Sequence, residues 1–418
     1  MDHPASEALR KTSLTSLGQY LAIAVALVVI PSQADGQGYG FLTLLGHDTL
    51  ALERVTPTPN GFTADLLERS PRVARSRFQV ELEPGTRRLR RYEIVLQGTA
   101  ASAPRASDRM VVELVGNAIP GGPARYSLRN FRGDSLLRQT DTLVAEEVLP
   151  WLLTSGATFE LMAQTLRLRG GDSLPVANMS SNMVRLAHIS MLRGTDTTFV
   201  FPYGRDYRYH GVLDAAGRLT ALSGRETTVK FELRRLQIPP IIEPVWDAWR
   251  VREEREGAMT ALSRRDTTSL AVGTGHLAVD YGRPLARGRV VAGGLVPYGE
   301  VWRTGANGAT HLTTTVPLLI NGQRLEAGRY AFWTRPTPVG ATLLLSSQVN
   351  VWGTAYQADR TILEAPFESL TPGPPVEQLE IRLVPDGAAV AMTIRWGTLA
   401  WRLQMQCAGE GTTPVRCS

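Results

Sequence analysis

The chain has 418 residues, 43 % hydrophobic and 20 % charged, with a formal net charge of +6. That balance is ordinary for a globular protein with room for two or three hydrophobic cores, so disordered, collagenous and low-complexity classes are excluded. The positive excess comes from 43 arginines against only two lysines, Lys11 and Lys230, interspersed with acids. A spread of that kind is compositional bias rather than a basic stripe, and no nucleic-acid partner is expected.

In chain order, Arg10 and Lys11 precede an apolar run, Tyr20 to Ile30, that is short for a bilayer span. Ser32 and Ala34 then stand at −3 and −1 to a cut before Asp35, completing the charged, apolar, small-residue order of a signal peptide over residues 1–34. An uncleaved anchor is the alternative. The expected address is periplasmic or extracellular, with no transmembrane segment after signal removal, and no cysteine lies near the cut for lipid modification.

Residues 39–236 read as an antiparallel β meander. Asp48 to Val55, Gly61 to Glu68, Arg72 to Leu82, Arg88 to Gln97, Met110 to Val115, Ala124 to Arg129, Thr197 to Phe201, Tyr207 to Leu213 and Arg218 to Leu222 show alternation or β-branched content. Pro-Asn-Gly at 59–61, Pro-Gly at 84–85 and Asp214 to Gly217 supply turns. One segment, Leu149 to Leu168, lacks this pattern and predicts a helix, with Trp151, Leu152 and Leu153 lining the sheet. Lys230, within Thr-Val-Lys-Phe-Glu, reads as a strand residue.

Residues 237–264 form a linker with three prolines, then a polar helix from Trp246 to Ser263. Residues 265–407 return to short strands, with Asn321-Gly322 as a strong hairpin signal, and predict a β-sandwich of jelly-roll type. A tail, 408–418, follows. The only cysteines, Cys407 and Cys417, predict a disulfide in an oxidising compartment, two free thiols being the alternative. No histidine or further cysteine stands near them to complete a metal site, and neither a metal nor a cofactor is indicated.

Gly-Asp-Ser-Leu occurs at 133–136 and 171–174, letters shared with a serine esterase family. That chemistry needs a histidine base three residues after an aspartate, which none of the six histidines satisfies, so Ser135 and Ser173 are assigned to turns. Rossmann glycines, zinc-protease helices, calcium loops and nucleophile elbows are missing.

One dense constellation remains. It comprises Val279-Asp280-Tyr281-Gly282-Arg283-Pro284, Arg287-Gly288-Arg289, the run from Val296 through Trp302-Arg303-Thr304-Gly305-Ala306-Asn307, Ala327-Gly328-Arg329-Tyr330, and Val351-Trp352-Gly353-Thr354-Ala355-Tyr356. These linked motifs resemble domain-of-unknown-function family 2911 over about residues 265 to 405. Members look like exported proteins of bacterial envelopes, and the resemblance implies no established activity. Gly308 and Ser346 depart from the family pattern, where a larger acidic residue and an asparagine are usual. Residues 39–236 resemble no family.

Physically the constellation has two readings. In one, Trp302 and Trp352 fill the interior while Arg283 and Arg303 brace loop carbonyls. In the other, Arg283, Arg289, Arg303, Asn307 and His311, with Trp302, Tyr330, Trp333, Trp352 and Tyr356, edge a groove for an anionic or sugar-like ligand. The leading functional expectation is a non-catalytic envelope protein that binds a small molecule, a glycan or an envelope protein. A glycan or ester hydrolase using Asp280 and Glu300, with His276 or His311 nearby, is the second. A hydrophobic-ligand carrier built on the N-terminal sheet is the third. No catalytic residue is assigned. Signal cleavage is directly checkable: intact mass of the exported protein should give an N-terminus at or within a few residues of Asp35, and retention of residues 1–34 would refute it.

Overall fold

The computed structural model describes residues 38–99, 107–117, 122–179, 187–203, 207–227, 229–257, 259 and 262–417. The expected signal segment, 1–34, lies outside the described residues. The chain is mainly β.

The first sheet runs through β1 (Tyr39–Leu45), β2 (Asp48–Thr58), β3 (Gly61–Glu68), β4 (Ala74–Leu82), β5 (Leu89–Gly98), β6 (Arg109–Asn117), β7 (Ala124–Arg132), β8 (Ser135–Val144) and β9 (Glu147–Pro150). Helix α1 (Gly156–Arg169) follows, then β10 (Ser173–Met179), β11 (Ala187–Thr195), β12 (Thr198–Tyr203), β13 (Tyr207–Leu213), β14 (Leu219–Glu226) and β15 (Glu232–Leu236). Sequential neighbours pair antiparallel from β8 back to β1; β1 then pairs with β15, and the order returns through β14 to β9. The expected meander has one exception, since β9 and β10 are parallel. Parallel neighbours need a crossover, and α1 provides it.

Eight consecutive residues of α1, Gly156 to Ala163, are buried, so the helix has no wet face over two turns and the sheet wraps around it. Phe159 meets Phe201 and Tyr209 edge-on or tilted, and Gly156 is required because a Cβ there would lie 2.3 Å from the Phe41 ring. The helix N-terminus sits on the buried Glu53, whose carboxylate accepts from Ser155 Oγ at 2.5 Å and Ala157 N–H at 3.1 Å. Burial pushes Glu53 up to about 7 despite these bonds. Further along, Glu160 accepts from the Tyr39 hydroxyl, Leu219 N–H and Arg235, so this acid too is hydrogen-bonded inside the sheet.

The two Gly-Asp-Ser-Leu stretches lie at turns. Gly133, at φ 55°, begins the β7–β8 reversal that ends at Ser135, and Gly171 and Asp172 lead from α1 into β10. Lys230 is not a strand residue as expected. It has φ 57° in a turn closed by Thr227, whose hydroxyl accepts the Lys230 N–H, and β15 begins only at Glu232.

Helix α2 (Glu243–Glu256) is shorter than its expected span, stopped by Gly257 at φ 79°. Pro244 occupies its first turn, and Trp246 and Trp249 pack on Leu67 and Val73 of the first sheet. The second sheet follows: β16 (Ser263–Val272), β17 (Gly275–Pro284), β18 (Thr310–Thr314), β19 (Leu318–Ile320), β20 (Gln323–Leu325), β21 (Gly328–Thr337), β22 (Gly340–Ser346), β23 (Thr361–Ser369), β24 (Val376–Asp386), β25 (Ala389–Gly397), β26 (Leu399–Ala408) and β27 (Pro414–Val415). One layer has the order β16-β17-β18-β21-β22-β23; β26 joins it through β23 and carries β19 and β25, with β24 beyond. The layers enclose one core, a barrel- or sandwich-like arrangement in which Tyr281 OH bonds Ile381 across the interior. Asn321 and Gly322, both at positive φ, make the expected two-residue hairpin.

Cys407 and Cys417 are bridged and buried. The tail is woven in rather than loose: β27 pairs with β26, Cys417 N–H donates to Ala388 O, and Cys417 O accepts from Gly273. No described helix is long and apolar enough to cross a membrane.

The two sheets meet where the β1–β2 turn presses on the loop after β17. His47 N–H donates to Arg287 O at 3.0 Å, the buried Arg287 guanidinium pairs with Asp48, and Arg287 N–H donates to Glu377. Gly46, at φ 64°, allows this approach, since a Cβ would stand 2.0 Å from Arg287 O. Gly46→Ala should therefore destabilise the protein by about 3 kcal/mol or more, a left-handed backbone and a forced separation together, whereas Gly133→Ala, at φ 55° with nothing within 4 Å of its Cβ, should cost only the roughly 1–2 kcal/mol of a left-handed backbone. Paired thermal melts check the ordering, and equal losses would mean that the seam contributes nothing.

Candidate ligand site at the seam of the sheets

The segment 285–309, between β17 and β18, carries the largest part of the constellation. It is too irregular for regular pairing and is fixed by isolated contacts instead. Trp302 exchanges backbone hydrogen bonds with Thr334 at 2.8 and 2.9 Å, and the Thr304 hydroxyl reaches the Thr334 hydroxyl at 3.1 Å. Thr304 and Asn307 adopt positive φ, and Gly282 leaves room for Ala306 O, 2.2 Å from where a Cβ would stand. The buried Trp302 ring stacks on Trp396 at 6.0 Å and meets Trp401 edge-on.

Two adjoining cavities flank this ring, and both are walled jointly by the first and second sheets. The smaller, about 90 Å³, is bounded by Leu45, Lys230, Arg287, Arg289, Arg303 and Trp302, among others. The larger, about 420 Å³, is bounded by Tyr207, Glu226, Glu300, Trp302, Trp333 and Tyr356, with Lys230 and Arg303 again. That volume lies in the range of small-molecule sites. Trp333 is fully buried with its Nε1–H on Gly353 O, and Tyr356 tilts against it at 5.3 Å while its hydroxyl contacts Thr361.

The cations at the smaller cavity differ in their partners. Arg287 has Asp48. Arg289 gives Nε and Nη2 to the carbonyls of Ala286 and Leu285, and burial pushes it down to about 10. Arg303 gives only Nε, at 3.2 Å, to Gly305 O. Lys230 bonds Arg225 O, and burial, reinforced by Arg303 and Arg289, lowers its pKa. Among the described residues, none of Lys230, Arg289 and Arg303 has a carboxylate within ion-pair distance.

The other constellation residues disperse. Exposed Asn307 reaches Ser263 O and borders the smaller cavity, while Trp352 is half-exposed with its Nε1–H on the Tyr207 hydroxyl of the first sheet. Arg283 lies farther along the seam, bonded to Leu379 O and Asp266, and Tyr330 covers the second core with its hydroxyl on Glu326 O. Neither lines the two cavities. Asp280 is held bidentately by Arg265 and touched by Arg329, His276 is exposed, and Glu300 faces the larger cavity. His311, expected at the edge of a ligand groove, is instead buried at 4 % because Arg265, Asp280 and Asn350 enclose it. No three described His, Cys, Asp or Glu side chains gather as a metal site. Lys230 and Tyr207 were not anticipated at the site, and Arg287 was named in the constellation but not among the groove residues; the hint for Lys230 was that it is a solitary lysine among arginines after residue 11.

Residues 263–405 match the family described as "Protein of unknown function (DUF2911)", about a third of the chain and the region holding both the constellation and most of the second sheet. No match extends over the first sheet. No curated protein matches the chain.

His311 makes a pH prediction. Its Nε2 accepts the Asn350 N–H at 3.1 Å, so the folded protein holds the neutral ring, and burial, with Arg329 and Arg265, pushes its pKa down to about 4 from 6.5. A histidine with a depressed folded pKa stabilises fully above its unfolded value, and that contribution fades as pH falls from about 6.5 towards 4. His311→Gln should flatten the fall in melting temperature across that window. An identical slope in both proteins would exclude this role.

Proposed function

We propose that this chain is an exported, non-catalytic binding protein of the bacterial cell envelope, holding a small molecule between its two sheets. The supporting observation is the larger cavity, where the partly exposed rings of Tyr356 and Tyr207, backed by the buried Trp302 and Trp333, stand beside Arg303, which has no ion-pair partner among the described residues. Aromatic faces with a few convergent polar groups suit a ring-bearing or sugar-like organic ligand. The export half of the proposal rests on the charged, apolar and small-residue order of residues 1–34.

A second reading draws on Glu226 and Glu300, which border the same cavity and are the two acids that glycan or ester hydrolysis would use. Asp280 is a poor candidate for that chemistry because Arg265 and Arg329 already occupy its oxygens. A carrier role for the first sheet is less supported, since α1 and its neighbours fill the space the sheet encloses.

Protein purified from its own envelope should retain a small organic molecule detectable by native mass spectrometry. Tyr356→Ala, which removes one wall, should lower its occupancy at least several-fold, with a thermal melt reading separately the stability lost with its contacts to Trp333 and Thr361. Retention unaffected by Tyr356→Ala would place the ligand elsewhere, and a molecule recovered in cleaved form, but intact from Glu300→Gln, would favour hydrolysis.

A further inference from the structure

The first sheet brings Lys230 to Arg289 and Arg303 of the second, and the wall of their shared cavity contains no aspartate or glutamate among the described residues. Elsewhere in the molecule several buried and half-buried arginines have acid partners. Arg75 and Arg54 share Asp65, Arg235 pairs with Glu160, and Arg287 with Asp48. Gathering like charges at a half-buried site without an ion-pair partner is unfavourable, and here the fold does so with side chains from two sheets, Glu226 and Glu300 lining only the larger cavity. Backbone carbonyls take part of the hydrogen-bonding capacity: one bond from Arg303, two from Arg289 and one from Lys230. Both Nη atoms of Arg303 remain free of any protein partner among the described residues, and the cavity they border is the one that adjoins the aromatic pocket through Trp302 and Leu295.

We infer that Lys230, Arg289 and Arg303 form an oxyanion site that receives the carboxylate or phosphate group of the ligand whose body lies in the aromatic cavity. The inference rests on the binding role proposed above and adds a charge to the ligand. A guanidinium with two open nitrogens matches the paired oxygens of such a group, and a lysine opposite supplies a third donor. The smaller cavity, about 90 Å³, admits a head group and not a whole organic molecule, so the remainder must extend past Trp302.

The test uses the full mature protein, titrated calorimetrically with inorganic phosphate and with benzoate in low-salt chloride buffer. Saturable binding of at least one is expected, weakened about tenfold or more by Arg303→Gln and by Lys230→Gln. Arg382→Gln, remote and paired with Glu380, should leave it unchanged. Without added anion, Lys230→Gln should melt at or above the wild-type temperature because a repelling charge has been removed; a lower melting temperature would make Lys230 a strut and overturn the proposal. So would absence of oxyanion binding, or equal binding by both variants. Should Arg303→Gln not fold, Lys230→Gln decides alone. If benzoate binds and Tyr356→Ala weakens it, the organic ligand is supported. Phosphate binding with benzoate excluded would sink the placement of the body in the aromatic cavity while leaving the oxyanion site standing. A retained ligand that is uncharged would do the reverse.

Discussion

The contact between Arg287 and the β1–β2 turn is the constraint on which the candidate site depends. Two sheets with separate cores have no intrinsic reason to stop at one relative position. Here the Arg287 carbonyl takes a backbone N–H from His47, its guanidinium takes the Asp48 carboxylate, and its own N–H is tied to Glu377 on the far layer of the second sheet. Three directions are thereby fixed at a single residue, and a side chain on Gly46 would collide with its carbonyl. Both cavities lie along this junction and take walls from each sheet. Neither sheet alone would carry them.

Trp302 shows that scaffold and site need not be competing roles. One face of the ring stacks on Trp396 within the second core, and its backbone is clamped to Thr334, yet the same residue borders both cavities. Immobility of that ring and its clamped backbone keep the backbone of Arg303, the next residue, at the cavity edge. A stiff aromatic beside a cation without an ion-pair partner is preorganised, which suits the binding role proposed for this cavity.

Much of the fold was legible in the sequence because alternation reports burial directly. β3 and β13 were bounded correctly, as was the Asn321-Gly322 hairpin, where both residues adopt the positive φ that such a turn requires. β8 was missed because it is an edge strand whose residues are almost all exposed, leaving no alternation to read, and β16 was missed for a similar reason. The disulfide followed from there being only two cysteines. The site was half legible. The arginines of 283–303 and Trp302 marked the loop, but their partners Lys230 and Tyr207 come from a sheet whose docking depends on three-dimensional closure. Reading Lys230 as a strand residue failed because the turn around Thr227 overrides the local alternation.

The pairing of β1 with β15 has a consequence for the order in which the protein can be assembled. Residues 39–45 are made early, yet one of their two neighbours, residues 232–236, comes nearly 200 residues later. Until then β1 presents an unpaired edge, and α1 lacks β14 and β15, two of the strands that enclose it. Long-range closure of this type slows folding and prolongs exposure of apolar surface. The first sheet consequently cannot be completed strand by strand as the chain lengthens. Its final ladder forms only when the segment just before α2 and the second sheet arrives, which makes residues 232–236 the lock on everything preceding them.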